Sequence, residues 1–162
     1  MTFDPKLDLK LERVLDVPTS LVWRAWTEPE HVVHWFVPKP WTVPRCEIDL
    51  RPGGKFFTVM RSPEGQEMPN TGCYLEVVPE KRLVWTSALL PEFRPQPAPD
   101  GPGFHFTAAL TFEPTDTGTK YTAIAMHSDP DGRKQHEEMG FAEGWGTVVT
   151  QLVEYIKGGG VG

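Results

Sequence analysis

Apolar and polar residues alternate from Leu7 to Arg13, the period of a strand buried on one face, which predicts β structure over Leu7 to Val14. The period then changes. Pro18 suits the first turn of a helix, where its missing N–H costs nothing, and Val22, Ala25 and Trp26 supply an apolar side. Thr27-Glu28-Pro29-Glu30 has the spacing of a capping box, with Thr27 as N-cap and Glu30 as the returning carboxylate. A second short helix is therefore expected there, carrying Val32, Val33, Trp35 and Phe36. It must end before Pro38, because the residue preceding a proline avoids the helical region.

From Trp41 onward the pattern is that of strands. Cys46, Ile48 and Leu50 alternate with Arg45, Glu47 and Asp49, and Arg51-Pro52-Gly53-Gly54 forms a turn into a strand from Lys55 to Arg61. Ser62 to Gln66 reads as a hairpin loop, followed by strands from Thr71 to Val78 and from Arg82 to Ala88. Leu90 to Gly103 holds five prolines and two glycines and cannot be a central strand, because proline has no ladder donor. It is either a functional mobile loop or a disordered insertion. Strands follow over Phe104 to Glu113 and Thr119 to Ser128, joined across Asp116-Thr117-Gly118. In the last segment Asp129 can cap and Pro130 can take the first helical position. Phe141, Trp145, Val148, Val149, Leu152 and Ile156 then mark one helix face, and Gly158-Gly159-Gly160 ends it. A single helix from about residue 130 to 157 would be on the order of 40 Å long, enough to cross a sheet. Strands joined by short turns run antiparallel, so the pattern is α+β: strand, two helices, six strands, helix.

Composition narrows the function classes. At 162 residues the chain makes one domain, core about 7–157, and needs no staples. The formal net charge of -6 and the absence of a strongly basic stretch exclude an electrostatic footing for nucleic acid or a polybasic membrane anchor. Met1 to Lys10 has no apolar core of a signal peptide, and no window approaches the roughly 18 apolar residues of a spanning helix. These features lead us to expect a cytoplasmic protein. Cys46 and Cys73 should lie on strands separated by one other, roughly 10 Å apart, and so remain free thiols.

The order of elements, with Asp16-Val17-Pro18-Thr19-Ser20-Leu21-Val22-Trp23-Arg24-Ala25-Trp26-Thr27 near the start, resembles the START-like (SRPBCC) superfamily. Within it the chain is most similar to the bacterial branch named for the C-terminal domain of the activator of Hsp90 ATPase. The supporting segments are His34-Trp35-Phe36-Val37-Pro38, Asp49-Leu50-Arg51-Pro52-Gly53-Gly54, Tyr74-Leu75-Glu76-Val77-Val78-Pro79 and Gly144-Trp145-Gly146-Thr147-Val148-Val149. The resemblance covers about Leu9 to Ile156. It implies a helix-grip (Bet v 1-like) fold: a curved seven-stranded antiparallel sheet around the last helix, two short helices after the first strand, and commonly a hydrophobic cavity between helix and sheet. Members of the superfamily include lipid and small-molecule carriers, cyclases, hormone sensors and co-chaperone domains, so the likeness speaks to architecture more than to activity.

Candidate site residues follow from residue chemistry. Gly140 and Gly144 stand one turn apart in the expected helix. Their missing side chains either leave room for a ligand or allow close packing on the sheet, the commoner meaning. Trp35, Phe36, Trp41, Phe57, Trp85, Phe106, Phe141 and Trp145 exceed what a small core needs, so part of this set is expected to border a pocket. His127, at the end of the last strand and on the face of Tyr121, Ala123 and Ala125, is the preferred polar candidate, able to orient a ligand or act as general base. Arg133 to Glu138, including His136, reads as a solvated helix start. His136-Glu137 is no zinc-protease motif, since Gly140 occupies the second histidine position. His31 and His34 share a helix face without a recognisable third ligand, and neither metal nor cofactor is expected.

The expected function is binding of a small hydrophobic, aromatic or lipid-like molecule. A cyclase- or hydrolase-like enzyme using a cavity histidine is the second reading, and an Hsp90 co-chaperone-like module the third. Such domains can also form homodimers.

Overall fold

The structure, a computed structural model, describes residues 2–101 and 103–162. β1 (Asp8–Leu15) is followed by α1 (Thr19–Thr27) and the short α2 (Pro29–Val32). β2 (Thr42–Ile48), β3 (Lys55–Arg61), β4 (Glu67–Val78) and β5 (Arg82–Thr86) then form a meander. A two-residue ribbon, β6 (Leu89–Leu90) and β7 (Arg94–Pro95), precedes β8 (Thr107–Pro114), β9 (Thr119–Met126), α3 (Pro130–Glu138) and α4 (Phe141–Lys157). The main sheet has seven antiparallel strands in the order β1-β9-β8-β5-β4-β3-β2. The chain is thus α+β with its C-terminal helix packed on a seven-stranded sheet, as the helix-grip resemblance implied.

Strand parity builds the core. Leu9 and Leu11 on β1 face Ala125 and Ala123 on β9, and Ala108 and Leu110 on β8 face the same pair from the other side. All are buried. Val148, Val149, Leu152 and Ile156 fill the facing side of α4. Thr119, fully buried, donates its hydroxyl to the Val17 carbonyl and meets Thr19 Oγ1 at 2.9 Å, tying the entry of α1 to β9. Pro69 within β4 breaks no ladder bond on its outer side, because only residues 73–78 of β4 pair with β5.

Four sequence expectations change. The Thr27 capping box does not form. Thr27 ends α1 and donates to the Trp23 carbonyl, Glu28 occupies the N-cap of α2, and that helix spans only four residues before giving way to turns. The proline-rich segment is partly ordered: Glu92 N donates to Gly53 O, its carboxylate pairs with Arg51, and Phe93 lies against Gly53. The strand before β9 begins at Thr107 rather than Phe104. The long C-terminal helix is two helices, because Gly140 adopts φ 92°, ψ 40°, a left-handed conformation that ends the first and admits the second. The 17 residues of α4 span about 25 Å rather than the single longer rod. Cys46 and Cys73 are free, on strands separated by β3, and burial pushes the Cys46 thiol up to about 12.

A side chain added at Gly140 would meet no atom within 4 Å, so the cost of replacing it is conformational alone. Gly140→Ala should lower the unfolding free energy by about 1 kcal/mol and Gly140→Asn by less. Urea denaturation of both variants measures this, and equal stability of all three proteins would contradict a required left-handed turn.

Candidate functional site

Between α4 and the β3–β5 side of the sheet lies a cavity of about 460 Å³. Three indoles form its deep wall. Trp26 from α1 is 1% exposed, Trp85 comes from β5 and Trp145 from α4, with ring centroids 5.2 Å (Trp26–Trp85), 6.3 Å (Trp85–Trp145) and 6.4 Å (Trp26–Trp145) apart. Trp145 Nε1 donates to the buried Tyr121 hydroxyl at 2.8 Å, which fixes its ring relative to β9. Trp26 Nε1 has no hydrogen-bond partner among the described residues. On the floor, β3 and β4 pair Phe56 with Gly72, Thr58 with Asn70 and Met60 with Met68, so the surface grades from buried to exposed, with the polar Thr58–Asn70 pair between two apolar ones. Phe36, Val37 and Pro38 form the rim opposite, and Gly144 of α4 looks into the space, with nothing within 4 Å of an added Cβ.

The rim is anchored through one side chain. Gln151 of α4 donates from Nε2 to the carbonyls of Trp35 (3.0 Å) and Val37 (2.8 Å), and its Oε1 accepts from Lys39 N (3.0 Å). The non-helical segment after α2 thereby gains partners for three backbone groups that no ladder supplies.

The lining is nearly free of charge. Among the described residues it contains no carboxylate, ammonium, guanidinium or thiol; its polar groups are the Thr58, Thr71 and Ser87 hydroxyls, the Asn70 amide and the His136 imidazole. His136 sits where Phe104, Phe106 and Phe141 surround it, at centroid distances of 4.8, 4.8 and 5.2 Å. Its Nδ1 meets His127 Nε2 at 2.9 Å, and His127 Nδ1 meets the Leu7 carbonyl at 2.8 Å. Burial first, and the adjacent His127 second, lower the His136 pKa to about 4, so the ring is neutral at neutral pH.

The model of the family described as "Activator of Hsp90 ATPase homolog 1-like protein" matches residues 16–157. The chain belongs to this family. A solved structure from Nitrosomonas europaea is 57% identical, with 96% of this chain and 97% of that one covered and a TM-score of 0.89. A Rhodobacter sphaeroides protein at 20% identity (96% of both chains covered, TM-score 0.82) shares the fold. So does a Silicibacter pomeroyi protein at 22% identity, covering 93% of this chain and 97% of that one, with a TM-score of 0.66. No curated protein matches.

In this family member the structure divides the residues singled out from sequence. Phe36, Trp85, Phe106, Gly144 and Trp145 line the cavity. Trp35 does not: it is core, with Nε1 donating to the Ala25 carbonyl. Trp41 is half-buried before β2, away from the lining. Phe57 points to the outer face, where Arg45 (5.3 Å) and Lys55 (5.9 Å) lie over its ring. Phe141 and Gly140 border the groove on the other side of α3, and Gly140 precedes α4 instead of lying inside a helix. His127 faces inward as parity requires but is covered by His136.

His136 corrects the reading of Arg133 to Glu138 as a solvated run. In the structure Gly132 is buried against Phe104 and His127, and His136 stands four residues on, along the same helix face. Trp26, Phe56 and Met60 were missed as lining because each also fits an ordinary core pattern. Among the described residues Glu28, Glu30 and His31 can approach one another as metal ligands would. Glu28 is already bound by Arg24 and His31 Nδ1 by the Tyr155 hydroxyl, so the group is explained as a partly buried hydrogen-bonded cluster.

The lowered His136 pKa predicts a stability change with pH. Above about 6.5 the ring is neutral folded or unfolded; as pH falls toward about 4 the unfolded chain takes up a proton that the folded one refuses, so stability drops. Below about 4 this contribution levels off. Of the groups around the ring, His127 touches it, while Arg133 and Glu137 pair with each other at 3.5 Å and Asp8 accepts from Asp4 N. Tm measured from pH 7.5 to 4 should fall more steeply for the native chain than for His136→Phe. Parallel curves would refute the assignment.

Proposed function

We propose that this protein binds a small, uncharged, predominantly apolar molecule in the cavity between α4 and the sheet. The observation that carries the reading is the uncharged aromatic lining around about 460 Å³ of space, a volume within the range of sites that enclose drug-sized ligands. A molecule there would exchange water for aromatic surface at roughly 25 cal/mol per Å² of apolar area buried. Pro38, Asn70 and Met139, all exposed, supply an entrance. The Met139 side chain, 71% exposed at the α3–α4 junction, is an adaptable apolar contact for an entering ligand.

The binding reading is better supported than the enzymatic one. Acid–base catalysis in this space would rest on His136, since among the described residues the lining offers no second titratable side chain near neutral pH. No helix among the described residues is long and apolar enough to cross a membrane.

Gly144 is the place to test occupancy, because a side chain there projects into open space without displacing a neighbour. The probe 1-anilinonaphthalene-8-sulfonate is anionic and suits the lining poorly, so N-phenyl-1-naphthylamine is the appropriate fluorescent reporter. It should bind the native chain with increased emission, and Gly144→Phe should weaken binding at least tenfold while preserving a cooperative thermal transition. A well-folded Gly144→Phe that binds the dye as the native chain does would place the ligand elsewhere.

A further inference from the structure

The two histidines behind and within the cavity wall form a directional chain. A carbonyl oxygen only accepts, so His127 Nδ1 donates to Leu7 O, and the proton of neutral His127 resides there. Its Nε2 is then an acceptor, and the 2.9 Å contact requires His136 Nδ1 to donate. In neutral His136 the remaining nitrogen, Nε2, therefore carries a lone pair and no proton. It makes no hydrogen bond with the described residues, and the ring lines the cavity. One backbone carbonyl thus sets the polarity of a group two rings away.

Three phenylalanine rings flank the imidazole. Phe104, Phe106 and Phe141 pack around the half-buried ring, and among the described residues the cavity lining carries no cationic side chain. A ligand acceptor placed against Nε2 would face another lone pair, whereas a donor would complete the chain.

Resting on the cavity-binding reading above, we propose that the site selects neutral aromatic molecules bearing one hydrogen-bond donor, a phenol-type hydroxyl or ring N–H, and that His136 Nε2 accepts from it. His127 is a positioning residue that holds His136 in the accepting tautomer.

The test uses the full chain at pH 7.5 with two probes of similar size, 1-naphthol and 1-fluoronaphthalene, titrated calorimetrically. The native protein should bind 1-naphthol about tenfold more tightly, the worth of one hydrogen bond, although the fluoro compound is the more hydrophobic. His136→Leu should remove or reverse that order while still binding 1-fluoronaphthalene. Long-range 1H–15N correlation spectra of the unsubstituted protein should show Nδ1 protonated and Nε2 unprotonated in both histidines, a readout independent of whether the variant folds. Equal affinity of the native chain for the two probes, or a preference that survives His136→Leu, would overturn the donor selectivity and leave the cavity reading standing. Binding of neither probe would overturn both. The opposite tautomer in the spectra would overturn the role given to His127.

Discussion

The structure depends on the distance at which three indoles hold α4 from the sheet. Trp26, Trp85 and Trp145 come from a helix, a strand and the C-terminal helix, and their mutual contacts of 5.2 to 6.4 Å oppose collapse of α4 onto β5. The Trp145–Tyr121 hydrogen bond prevents the propping ring from rotating away. Closing the space would require off-rotamer indoles in a buried layer, at a cost of typically 1–3 kcal/mol. Among the strands, α4 comes closest to β1, at the edge of the sheet.

Two further constraints turn that space into a site. Gln151 holds the irregular segment around Val37 against α4, giving the open end a defined rim. The left-handed Gly140 redirects the chain between α3 and α4, so α3 can lie against the end of β9 and present His136 inward. Gly132 assists by letting α3 approach His127 without a side chain between them. A continuous helix through residues 130–157 would follow one axis and could not meet both surfaces.

The elements were legible because their signals are local. Asp129 caps α3 through its carboxylate, as its position before Pro130 suggested, and Gly158 closes α4. Alternation located the strands to within a few residues. Site membership was less legible, for a reason seen in β3: Phe56 and Phe57 are equally aromatic, and which of them faces inward depends on the pairing register, in which Phe56 meets Gly72 and Ile48. Trp35 and Trp26 likewise look alike in sequence. Trp35 spends its indole N–H on the Ala25 carbonyl inside the core, while Trp26 borders the cavity.

By itself the sequence determined the α+β class, the strand and helix order, the free thiols and an uncharged aromatic excess, because these follow from period, capping chemistry and composition along neighbouring residues. Only the tertiary structure decided that the terminal helix breaks at Gly140, that Gly144 faces open space, and that His136 lines the cavity with His127 behind it. Those outcomes depend on which surfaces meet across long separations. Contacts such as Trp26 with Trp145, or Leu7 with His127, arise from packing and register that no local pattern encodes.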